Sequence, residues 1–138
     1  MANRRRAREA VLQMLFQFEA TAESPQEVIR LYRSSFAEGP IPDEFSIQMF
    51  RNIADKVSQI DATIMSASDN WRLERMSRVD RNILRMGVFE LKNNTPDTPL
   101  KVVINEAVEL AKRFGAEESA AFVNGVLDRI AKEEGAEN

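Results

Sequence analysis

Four arginines crowd the start of the chain: Arg4, Arg5, Arg6 and Arg8 stand in the run RRRAREAVLQMLFQFE. Guanidinium groups are planar forks that match pairs of anionic oxygens, so such a cluster can hold phosphates. Arg5, Glu9, Leu12 and Phe16 recur at helical spacing, which sets arginine and an aromatic ring on one helix face. Charge for phosphates beside a π-face for bases suits single-stranded RNA. A plainer reading stands beside it. The arginines can be a solvated helix start, and Phe16 can pack beneath another helix, because a bundle can bury two faces of one helix.

Other chemistries lack their parts. The chain has no histidine and no cysteine, which removes the commonest general base, the thiolate nucleophile and the usual zinc ligands. No GxGxxG, GxxxxGK(S/T) or GxSxG occurs. We therefore expect no enzyme, no catalytic residue, no metal and no cofactor. Without cysteine, disulfides are excluded and nothing argues for secretion. No apolar run approaches a membrane span, and Gln13, Gln17 and Glu19 interrupt the stretch that would otherwise resemble a signal peptide. The expected location is cytoplasmic, with no membrane partner. Formal charge is −3, yet the first turns are basic while Glu133, Glu134 and Glu137 make the tail acidic. Such a protein is no general polyanion binder, but a basic pole can act locally, over about 8 Å at physiological salt.

At 138 residues the chain is long enough for one domain with a real core, and its apolar spacing is helical nearly throughout. Ala7, Val11, Met14, Leu15 and Phe18 share a face of the first helix. Ser24-Pro25-Gln26-Glu27 reads as a capped start, and Val28, Leu31, Tyr32 and Phe36 follow as a stripe. Gly39-Pro40-Ile41-Pro42 breaks the chain. Asp43 caps an expected long helix to about Ala67, through Ile47, Phe50, Ala54, Val57, Ile60 and Ile64. A turn or short helix surrounds Trp71. Ser77 starts the next helix, supported by Asp80, and Asn93-Asn94-Thr95-Pro96 ends it. Thr98-Pro99 opens another, and Gly115 stops it. Glu117 and Glu118 fall where the last helix begins, and residues after about Glu133 are expected to fray. The expectation is an all-α bundle of about seven helices, one domain over 1–138 in two packed subdomains, about 1–69 and 70–138.

The segment from Lys101 to Asp128 has two structural readings of its own. Gly125 inside an apolar helix implies close approach by another helix, since glycine costs about 1 kcal/mol there against alanine. Asn105 and Asn124 read as partners of buried backbone groups. The loop at Gly115–Ser119 presents helix N-terminal amides, but Glu117 and Glu118 would repel phosphate, so they suit donors on bases.

Three blocks, RRRAREAVLQMLFQFE, DRNILRMGVFEL and INEAVELAKRFGAEESAAFVNGVLDRIA, resemble the NusB family of transcription antitermination factors, in order and spacing, over nearly the whole chain. The resemblance implies a seven-helix fold and no catalysis. It implies pairing with NusE, a protein of the small ribosomal subunit, and binding of single-stranded boxA RNA in nascent ribosomal RNA. It further implies that the pair joins other Nus factors on RNA polymerase, suppresses Rho-dependent termination and aids rRNA maturation. Arg4, Arg5, Arg6 and Arg8 match the family's basic motif and are expected at phosphates. Phe16 falls where relatives often carry a tyrosine close to RNA, so stacking can persist without the hydroxyl. Asp80 matches an acidic position on the NusE side, usually glutamate. Glu118 matches an acid of the RNA-facing loop, and Phe122 and Asn124 belong to the FVNGVL signature. Self-association of the free chain as a homodimer, through the surface that otherwise meets RNA or NusE, stays open. Two other readings remain. One is a protein-only helical adaptor that docks partners on a Leu12–Phe16 face. The other is a non-catalytic relative of the NusB-like domain of rRNA methyltransferases, since this chain lacks their cysteine.

Overall fold

The computed structural model describes residues 4–35, 43–69, 71–93 and 98–133. Seven α-helices occur among them: α1 Arg4–Ala20, α2 Pro25–Ser35, α3 Glu44–Asp55, α4 Val57–Ala67, α5 Arg78–Lys92, α6 Leu100–Phe114 and α7 Ser119–Glu133. A short 3₁₀ turn covers Leu73–Arg75, and no strand occurs among the described residues. The expected ends at Phe36, at Gly39–Pro42, at Asn94–Pro96 and beyond Glu133 lie outside the described residues.

Short polar side chains start the helices by satisfying first-turn amides that have no partner within the helix. Ser24 Oγ accepts from Glu27 N–H at 3.2 Å before α2. Asp43 Oδ1 accepts from Ser46 N–H at 2.8 Å before α3. Ser77 Oγ accepts from Asp80 N–H at 3.0 Å before α5. The start of α6 differs from expectation. Pro99, not Thr98, occupies the cap position, and no side chain caps the helix.

The long helix expected from Asp43 to Ala67 is two helices. At Lys56 the backbone leaves helical geometry (φ −113°, ψ 19°), and its N–H is shared by the carbonyls of Asn52 and Ile53. The apolar period continues across the break, so spacing alone reads as one helix. The chain nevertheless divides here into two compact units, Met1–Lys56 and Val57–Asn138. Helix α3 packs on α1 and α2, whereas α4 packs on α5 and α7. Each half thus turns its apolar side to its own core, and the boundary expected near residue 69 moves to Lys56.

In the N-terminal unit α1 lies against both α2 and α3. Two sides of it are therefore covered, which changes the reading of its arginine face. Leu12 is 1% exposed and belongs to the core with Val11, Met14 and Leu15. Arg8 stands one turn before Leu12 on that side, is only 5% exposed and is engaged within the protein. Phe18, expected in the core, is half-buried and meets Phe50 edge to face at 5.8 Å. Burial pushes the Tyr32 phenol above its ordinary value; nearby Glu9 adds to the shift and Arg6 opposes it. Tyr32 of α2 therefore lies beside the N-terminal half of α1.

In the C-terminal unit α5 packs against α4, α6 and α7. Gly87 of α5 is buried, and a Cβ there would stand 2.8 Å from Leu127 Cδ1 of α7. Arg85 grips Asp61 with both ends of its guanidinium, at 2.8 and 2.9 Å, and Asn82 Oδ1 accepts a third bond at 3.0 Å. This fork fixes α4 on α5 in a partly buried setting, where geometry of this kind is strongest. Arg129 of α7 bonds Asp69 Oδ1 at 2.7 Å, beyond the end of α4, where Asp69 adopts a left-handed φ of 57°. Arg81 donates to the carbonyls of Leu73 and Met76 at 2.8 and 3.2 Å and so holds the 3₁₀ turn on α5.

The turn between α6 and α7 is closed by one hydroxyl. Ser119 is 1% exposed, and its Oγ accepts from Ala116 N–H at 2.9 Å. A Cβ at Gly115 would lie 2.5 Å from that Oγ and 2.8 Å from the Ala111 carbonyl. Gly115 is thus required by close approach. Gly125 is not: it is exposed, with no other heavy atom within 4 Å of a built Cβ. The expected close helix contact there is corrected. The buried roles expected for Asn105 and Asn124 are corrected too, since both are exposed. All three positions lie on outward faces of α6 and α7, which helical spacing by itself assigned inward.

Two stability series check this packing. Gly125→Ala should raise stability by about 0.5–1 kcal/mol, because only helix propensity changes. Gly87→Ala should instead lower it by about 1 kcal/mol, since the methyl must displace a fully buried leucine; equal gains at both sites in urea unfolding would contradict the close approach of α5 and α7. At the α6–α7 turn, Ser119→Ala should cost about 1 kcal/mol by orphaning an amide, and Gly115→Ala about 2 kcal/mol by overpacking.

Candidate nucleic-acid interface

The start of α1 presents Arg4, Arg5 and Arg6 on its exposed surface. Arg4 lies over the Phe45 ring of α3, with its guanidinium carbon 3.7 Å from the ring centre. Stacking of this kind holds the guanidinium plane while its N–H edges stay available. Phe16 is half-buried on the same helix. Arg8 does not join this surface. Its side chain shares the buried side with Leu12 and is engaged within the protein, so the expected phosphate contact is not open on this surface. The continuous Leu12–Phe16 docking face fails for the same reason.

The C-terminal unit holds a cavity of about 660 Å3 whose walls include Trp71, Arg75, Asp80, Glu118 and Phe122. Its shape follows from the helix starts. Ser77 and Asp80 come from the first turn of α5, and Ser119 and Phe122 from the first turn of α7. Two helix N-termini therefore open on one space. Their dipoles favour negative charge, and Arg75 adds a cation. Asp80 and Glu118 oppose these, so the cavity is mixed in sign and suits a ligand that offers both phosphate and donor groups.

Asp80 carries the sharpest chemical signal. Its Oδ1 is closed off from solvent and has no hydrogen-bond partner in the free chain. A buried acceptor without a donor costs about 1–3 kcal/mol, so this oxygen would gain from a donor. Glu118 is exposed at the cap of α7, where its carbonyl accepts from Phe122 N–H at 3.1 Å. Phe122 is half-buried at the cavity wall. Asn124 is exposed on α7 but does not line the cavity. Among the described residues no group of carboxylates could hold a metal ion, and no helix is long and apolar enough to cross a membrane.

The sequence reading missed two aromatic residues. Trp71 is 49% exposed at the cavity, and Phe114 is 36% exposed with the Arg113 guanidinium 5.0 Å from its ring. A signal for Trp71 was present: the one tryptophan stands between helices with Arg72 and Arg75 after it. A large ring in an irregular, basic segment has no helical face to bury.

Comparisons with known proteins bear on the family and the fold. The model of the NusB family matches residues 5–132. The transcription antitermination protein NusB of Sorangium cellulosum (strain So ce56) is 48% identical over 132 residues, covering 96% of this chain and 94% of that protein. Among solved structures, T. maritima NusB is 39% identical with a TM-score of 0.78, over 96% of this chain and 92% of that one. A second structure, of the antitermination factors NusB and NusE in complex with dsRNA, is 26% identical with a TM-score of 0.78, over 94% and 96%. With its seven helices in the same arrangement and a family match over nearly its full length, the chain belongs to the NusB family of transcription antitermination factors.

Proposed function

We propose that this protein binds boxA RNA together with NusE and carries that RNA into the antitermination complex on RNA polymerase. There it would act with other Nus factors against Rho-dependent termination and aid maturation of the ribosomal transcript. As a member of its family it is a binding protein and not an enzyme. The observation that carries the reading is the cavity at the starts of α5 and α7, which sets Trp71, Arg75 and Phe122 beside an acceptor that lacks a donor. The relative solved as a NusB and NusE pair on RNA supports the choice of ligand and partner.

Each residue then has a chemical task. Arg4, Arg5 and Arg6 attract phosphates; Arg8 positions α1 from within the core. Trp71 and Phe122 offer faces on which unpaired bases stack, worth about 1–3 kcal/mol per base. Phe16 adds a partly open ring without a hydroxyl. Glu118 accepts from an exocyclic amino group of a base, and Asn124 supplies a further polar contact on α7. Asp80 receives a donor from NusE, a lysine or arginine, which would satisfy the orphaned oxygen. NusE also contributes surface, which lets a chain of net charge −3 hold a polyanion. A homodimer of the free chain through the same surface would compete with both.

The first test is binding of boxA RNA and a scrambled control, each with and without NusE. Preference for boxA that NusE strengthens is expected; equal weak binding of both RNAs would remove the reading. Arg5→Ala with Arg6→Ala should weaken binding with little loss of stability. It should also lower the slope of log affinity against log salt by about 0.7 for each phosphate that is no longer neutralised. An unchanged slope would rule out phosphate contact by these residues. Asp80→Asn should weaken NusE binding about tenfold while the free chain melts within a few degrees of the parent, since the buried Oδ1 has no partner to lose.

A further inference from the structure

We propose that the cleft between α2 and α3 is a second phosphate-binding track, which holds unpaired RNA flanking the boxA segment. The inference rests on the RNA-binding reading above. It concerns a different surface, built within the N-terminal unit alone.

Two adjoining cavities of about 490 and 720 Å3 share Gln26 and Arg51 and so form one groove along α2 and α3. One end is basic. Arg30 and Arg33 come from α2 and Arg51 from α3, over a floor that includes Ile29, only 3% exposed. Arg30 is held by Glu27 in an exposed pair, which contributes little and exchanges readily. Arg33 and Arg51 are exposed and have no hydrogen-bond or carboxylate partner among the described residues. Arg33 gains from the C-terminal end of the α2 dipole. Arg51 sits mid-helix and has no such reason to be there. In a chain of net charge −3, these three arginines make a local reversal of sign among the described residues.

The rest of the groove favours RNA over an acidic protein segment. Its other end is lined by the Phe18 ring and the amides of Gln26 and Asn52, with Asp55 as its carboxylate. Planar amides bond to base edges and a partly open ring stacks on bases, whereas an acidic peptide's carboxylates make no use of the ring. Position adds to the case. Helix α2, which carries Arg33, packs on α1, which carries Arg4–Arg6, within the same unit.

The test uses the full chain with NusE and two RNAs: a minimal boxA and the same boxA extended on either side by about ten unpaired uridines, within the usual reach of single-strand sites. The parent should bind an extended RNA at least about fivefold more tightly than the minimal one. Arg33→Ala combined with Arg51→Ala should erase that gain, leave minimal boxA binding unchanged, and lower the salt slope for the extended RNA by roughly 1 to 1.5. Arg33→Lys with Arg51→Lys should keep part of the gain. If neither extension adds affinity, or the alanine variant keeps the gain, the proposal is overturned. If a glutamate-rich peptide binds through Arg33 and Arg51 while extended RNA gains nothing, the groove is a protein-docking surface and the proposal is likewise overturned. Loss of boxA preference with an Arg33- and Arg51-dependent gain for uridine extensions would instead remove the boxA reading and support the groove.

Discussion

The close approach of α5 and α7 at Gly87 sets the geometry of the C-terminal unit. With only a hydrogen on Gly87, Leu127 fits against the α5 backbone. The first turns of the two helices can then open on one cavity. Everything placed there follows from that contact: Asp80 from one start, Glu118 and Phe122 from the other. The Arg85–Asp61 fork and the Arg129–Asp69 bond tie α4 to the same pair of helices. Arg81 holds the 3₁₀ turn after Trp71. Trp71 is thereby kept exposed by polar anchors on both sides of it rather than by burial of its own ring.

Charge follows a similar constraint. A net-acidic protein can bind a polyanion only where cations are gathered and carboxylates are either distant or aimed at something other than phosphate. At the start of α1 the arginines are gathered, and one is stacked on Phe45. At the cavity, two helix N-termini and Arg75 offset two carboxylates whose natural partners are donors. Desolvation makes the second case selective. A buried acceptor gains more from a correct donor than an exposed one does, and it penalises a ligand without one.

Much of this was legible in the residues. Caps at Ser24, Asp43 and Ser77 are local, since each satisfies an amide three residues on, so sequence alone places three helix starts. The stop at Gly115 is local too, since the Cβ it lacks would meet Ser119 and the Ala111 carbonyl, each four residues away. The helical period and the absence of histidine and cysteine determined an all-α protein without the usual catalytic groups, and the three sequence blocks carried the family. The exposure of Arg4–Arg6 also agrees with the sequence reading of a solvated basic cluster at the start of the first helix.

What only the tertiary structure decided is which side of each helix is covered. Arg8 and Leu12 read as an outer face until α2 and α3 close on two sides of α1. Asn105, Asn124 and Gly125 read as inward until α6 and α7 turn them out. Lys56 reads as mid-helix until α3 and α4 take separate cores. The orphaned oxygen of Asp80 and the joining of Trp71 with Phe122 depend on residues far apart in the chain. Periodicity states that a helix has faces; it carries no record of how many neighbours will pack on them, because that number is fixed by contacts between distant segments.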